Sequence, residues 1–168
     1  MKTTRKIAYL GICTTIALVL AYVESLIPPI FSAVPGIKMG LPNVVIVFVL
    51  YKFKARDAII VSLIRIGIVT LLFGNVMTLA YSVSGAVLSL AGMILLKKLD
   101  FLSIIGVSVV GAILHNAGQI IMAMILLSTA EIGYYLIVLA ITGAISGVLV
   151  GLLGGILVKR LKDKTSEE

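Results

Sequence analysis

The chain has 168 residues, 61% of them hydrophobic and only 12% charged, with a mean hydropathy of +1.23. Soluble domains carry roughly 45–50% apolar and about 25% charged residues. This composition therefore excludes a water-soluble globular fold and reads as an integral membrane protein forming one domain, residues 1–168. The net charge of +7 would suit nucleic acid only if the basic residues were not needed elsewhere, and a lone Cys13 excludes a disulfide framework.

Polar punctuation divides the chain into six apolar spans. A bilayer core of about 30 Å needs roughly 20 helical residues. The first span covers residues 7–27 and stops at Pro28 and Pro29. The second, 41–51, is short and reads as tilted or partly re-entrant. The others cover residues 57–73, 76–96, 101–127 and 133–158. None alternates with the period of two that marks strands of a membrane barrel. The expected fold is thus all-α, a bundle of six transmembrane helices.

The basic residues set the expected orientation. Lys2, Arg5 and Lys6 precede the first span, and Lys52, Lys54 and Arg56 separate the second from the third. Lys97 and Lys98 separate the fourth from the fifth, and Lys159, Arg160, Lys162 and Lys164 follow the sixth. Six crossings put these twelve of the fourteen basic residues on one side. The positive-inside rule makes that side the cytoplasm and places both termini there. Anionic lipid headgroups then account for the charge without nucleic acid.

Two basic residues stand apart. Lys38 lies in the outer loop "VPGIKMGLPN", and Arg65 lies within the third span, eight residues past Asp57. A charge that deep costs at least a few kcal/mol, so it must face the protein interior and find a partner or a polar ligand group. Glu24, near the outer end of the first span, is a candidate partner for either. In the fifth span, "HNAGQ" places His115 and Gln119 one turn apart on one helix face, with Asn116 beside them. Lipid offers these groups no hydrogen-bond partner, so the face looks inward. It serves either as glue between helices or as the wall of a binding site. Asn43 opens the second span, and the segment from Pro35 to Pro42 is a candidate lid. Asn75 at the outer turn and Tyr81 in the fourth span complete the candidate binding residues.

Small residues recur at four-residue spacing. Gly143, Gly147, Gly151 and Gly155 form a flat stripe in the sixth span, and Ala17 and Ala21 repeat the spacing in the first. The chain lacks the Walker A phosphate loop and the nucleophile elbow of hydrolases. Asp57, Asp100 and Asp163 are isolated from one another, and no metal-ligand cluster is legible.

The segments "PGIKMGLPNV", "FGN" followed by "YSVSGA", and "HNAGQI" together resemble a bacterial family. Its members are called heptaprenyl diphosphate synthase component I or Gx transporter family protein, and the resemblance covers essentially the whole chain. The family is in turn similar to the substrate-binding S components of energy-coupling factor transporters. That similarity implies a membrane subunit capturing a small vitamin-like, flavin-related or isoprenoid metabolite. It also implies docking on an energy-coupling transmembrane subunit driven by ATPases, with Ala17 and Ala21 matching an A-x-x-x-A docking pattern. The catalytic prenyl synthase subunit carries aspartate-rich motifs that this chain lacks. The expected function is thus a non-enzymatic transport subunit; the alternative is a non-catalytic component of heptaprenyl diphosphate synthesis, which supplies isoprenoid side chains.

The charge pattern makes a direct prediction. Cysteines introduced at Lys54 and Glu131 should react with impermeant thiol reagents from opposite faces of the membrane. Labelling of both from the same face would refute six crossings.

Overall fold

The structure, a computed structural model, describes residues 3–26 and 40–163. Six α-helices follow one another: α1 (Thr3–Leu26), α2 (Asn43–Lys52), α3 (Ala55–Phe73), α4 (Val76–Leu99), α5 (Ile104–Leu127) and α6 (Tyr135–Asp163). A short 3₁₀ turn, Ala130–Tyr134, leads into α6. There is no strand among the described residues. α1, α4, α5 and the stretch Ala130–Leu161 are long and apolar enough to cross a bilayer. Their outward faces carry exposed Ile, Leu and Val, from Ile7 and Ile16 to Leu126 and Leu153. Such surfaces suit hydrocarbon rather than water, and the chain is a membrane protein.

The two remaining helices depart from the simple span, each for a physical reason. α2 has 10 residues, about 15 Å of helix, half of what a bilayer core requires. Its residues Val44 to Leu50 are all buried, because α1, α3 and α6 pack around it. A helix apolar on every side is one surrounded by protein. α3 has 19 residues, but Arg56, Asp57 and Arg65 interrupt its apolar character.

Glycine sets the closest helix approaches. A Cβ on Gly118 of α5 would lie 2.6 Å from the carbonyl oxygen of Ser84 in α4. The Ser84 hydroxyl donates a 2.9 Å hydrogen bond to the Gly118 carbonyl at the same crossing. On α6, Cβ atoms at Gly147 and Gly151 would come within 2.7 Å of the α5 backbone at Val109 and Ile105. The stripe foreseen in the sixth span is therefore the seam between α5 and α6. Gly155 is outside it, with open space where its side chain would be. α4, α5 and α6 form the most extensively packed part of the bundle; α3 packs on α4, and α1 packs on α2 and α3.

Polar contacts gather the basic segments at one end. Lys6 of α1 pairs with Asp57 of α3 at 2.7 Å. Lys52 donates to the Leu161 carbonyl at 2.9 Å, and Lys97 donates to the Leu50 carbonyl while lying over the Tyr51 ring. The start of α1 and α3 and the ends of α2, α4 and α6 thus meet. At the other end, Asn75 caps α4 by accepting from the Thr78 N–H at 2.9 Å.

Gly118→Val should force α4 and α5 apart, since overpacking costs roughly 1–3 kcal/mol. A loss of several degrees in melting temperature is expected in detergent. Gly155→Ala, with room for its methyl, should melt with the native chain.

Candidate ligand-binding site

The polar face of α5 is seated on glycines of its neighbours. A Cβ on Gly85 of α4 would lie 2.8 Å from the His115 carbonyl oxygen and 2.9 Å from its imidazole Cε1. Only a glycine lets His115 lie against α4. On the other side, a Cβ on Gly143 of α6 would come within 2.7 Å of the Asn116 amide nitrogen. That nitrogen donates a 2.7 Å hydrogen bond to the Leu139 carbonyl of α6. The helix seams therefore fix where the polar side chains sit.

Between these seams and α3 lies a cavity of about 110 Å³. All six helices line it. α5 supplies Ala112, His115, Asn116 and Gln119, and α4 supplies Thr78, Tyr81 and Ser82. α3 contributes Arg65, Ile66 and Val69, while α6 contributes Ser146. Ala21 and Glu24 of α1, with Gly40, Pro42 and Asn43 at the start of α2, close the wall.

Arg65 sets the character of the cavity. It lies about 15 Å along α3, and its Nε is buried with no hydrogen-bond partner. An unmatched buried donor costs roughly 1–3 kcal/mol, more when it belongs to a charged group. Glu24, only 7% exposed, is near enough for its charge to act on Arg65. The Glu24 carboxylate also accepts the Gly40 N–H at 2.5 Å. Gly40 has φ of +74°, a conformation that costs glycine nothing. The carboxylate thereby ties the end of α1 to the start of α2.

Most of the expected binding residues come together. His115, Asn116, Gln119, Arg65, Asn43 and Tyr81 share the cavity wall. Asn75 does not: its side chain is occupied in capping α4, where the first turn needs an acceptor for the Thr78 N–H. Lys38 lies outside the described residues, as does the candidate lid from Pro35 to residue 39. Of that loop, Gly40 and Pro42 reach the cavity. Ala17 is fully buried in the core, and Ala21 lines the cavity wall.

Thr78, Ser82 and Ser146 were not anticipated as wall residues. Their signal was spacing: Thr78 and Ser82 are four apart and flank Tyr81 on one face. Ser146 falls one turn beyond Gly143, the glycine that seats Asn116. Hydroxyls so short in an apolar helix read as packing residues until a neighbouring polar face is known.

One family model matches the chain, that of heptaprenyl diphosphate synthase component I, over residues 13–157. No curated protein and no solved structure matches it.

The geometry separates the two roles open to the α5 face. Asn116 joins α5 to α6 as well as lining the cavity, whereas Gln119 makes no hydrogen bond among the described residues. Asn116→Leu should lower thermal stability in detergent as well as ligand retention. Gln119→Leu should melt like the native chain yet bind a cavity ligand about tenfold to a hundredfold more weakly, the effect of losing roughly 1–3 kcal/mol of hydrogen bonding. A Gln119→Leu protein that loses stability but keeps its affinity would assign this residue to packing.

Proposed function

The chain belongs to the heptaprenyl diphosphate synthase component I family, and from that membership we propose that it is a non-catalytic, membrane-embedded component of heptaprenyl diphosphate synthesis. The family match over residues 13–157 carries the reading. The word "component" implies a partner subunit, and the residues suggest how the work divides. Ionising an allylic diphosphate calls for clustered carboxylates holding Mg²⁺ against it. Here Asp57 is spent on Lys6 and the start of α3, and Asp100 ends α4. The bond-forming step then falls to the partner. This chain contributes a place in the membrane and a polar cavity for a small molecule.

The second reading is a transport subunit of the S-component kind, engaging an energy-coupling transmembrane protein and its ATPases. The observation in its favour is the cavity itself, compact and ringed by polar side chains from all six helices. The family match weighs toward the first reading. Both readings have the basic end of the bundle in the cytoplasm of a bacterial cell and six crossings. In that arrangement α3 crosses with Arg65 turned inward, and α2 crosses half the bilayer inside a protein sheath.

Co-expression with the partner prenyl synthase subunit from the same genome tests the proposal. The partner should be retained on membranes that contain this chain, and long-chain prenyl diphosphate output should fall at least several-fold when the chain is deleted. Unchanged output and no membrane retention would refute the accessory role. ATP-dependent uptake of a copurifying metabolite would then support the transport reading.

A further inference from the structure

Among the described lining residues, Arg65 and Glu24 are the only side chains with formal charge, one of each sign. Their charges act on each other, so these two side chains together offer an incoming anion little net attraction. A diphosphate needs the opposite: several cationic side chains, or free backbone N–H groups at a helix start. The start of α2, which borders the cavity, does not supply them. The first N–H groups of α2 are taken, Asn43 by the Gly40 carbonyl at 2.8 Å, Val44 by Leu41 at 3.1 Å and Val45 by Pro42 at 3.2 Å. At α4 the Asn75 side chain occupies the Thr78 N–H.

What remains is a rich set of uncharged donors and acceptors beside one unsatisfied Arg65 Nε. Resting on the reading of this cavity as a ligand site, we infer that its ligand is a net-neutral, hydrogen-bonding small molecule, and not the diphosphate group of a prenyl diphosphate. An acceptor atom of that ligand, such as a carbonyl or ring nitrogen, meets the Arg65 Nε–H. Amides and hydroxyls such as those of Gln119 and Tyr81 bond the remainder. The division of labour follows: a prenyl diphosphate made by a partner keeps its charged head out of this cavity.

The test uses the full chain in lipid nanodiscs and two measurements. The first titrates inorganic diphosphate calorimetrically into the native protein, Glu24→Gln and Arg65→Gln. The native protein should show no binding that depends on Arg65. Glu24→Gln leaves the guanidinium unopposed and should gain affinity for diphosphate by about tenfold or more, as removal of a nearby like charge predicts. Saturable micromolar binding to the native protein, abolished in Arg65→Gln, would overturn the inference. The second measurement is mass analysis of small molecules retained by the native protein and lost from Gln119→Leu, and it stands even if Glu24→Gln fails to fold. A retained neutral compound supports the inference, whereas a retained phosphate-bearing compound overturns the ligand class and leaves the site intact. If nothing is retained in a cavity-dependent way, the reading of the cavity as a ligand site fails, and the inference with it.

Discussion

A hydrogen-bonding group in hydrocarbon has no water to turn to, so it must be satisfied from within the protein. Arg65 is where this constraint presses hardest, a charged side chain midway along α3 with a buried, unmatched Nε. Everything around it is arranged to keep it from lipid. Glu24 stands near it on α1, and the amides and hydroxyls of α4, α5 and α6 complete an inward-facing polar wall.

Close packing makes the wall possible. Apolar side chains gain little by leaving lipid for one another, so membrane helices associate through tight backbone approach and hydrogen bonds. Gly85 and Gly143 provide that approach where His115 and Asn116 need room, and Gly118 brings α4 against α5 beside them. The same glycines serve fold and site together. α4, α5 and α6 become a firm slab, α3 packs on α4, and α1 packs on α2 and α3; the polar space lies between. α2 plugs the bundle from one end, and its own start contributes Asn43 to the wall.

Much of this was legible in the sequence because the bilayer removes alternatives. Apolar length marked the helices, and the structure places α1 to α6 close to the six expected spans. The depth of Arg65 and the one-turn spacing of His115 and Gln119 marked an inward face, and both now line one cavity. Two expectations rested on weaker signals. Asn75 sits in a turn before an apolar helix, the position where an asparagine most often caps, and it does so. Ala17 and Ala21 show only that a backbone approaches closely, and spacing cannot say whether that neighbour is this chain or another. The hydroxyls of Thr78, Ser82 and Ser146 were opaque for a related reason. Their facing direction depends on how α4 and α6 rotate about α5, which long-range packing decides.

The central claim is that the mid-membrane polar face exists to hold a ligand. The most direct measurement is an experimental structure of the protein purified with its bound small molecules, at a resolution that shows hydrogen bonds. The account predicts non-protein atoms in the cavity, with an acceptor within hydrogen-bond distance of the Arg65 Nε and contacts to Gln119. A collapsed cavity, with the Arg65 Nε bonded to a protein carbonyl and Gln119 packed against a neighbouring helix, would contradict it.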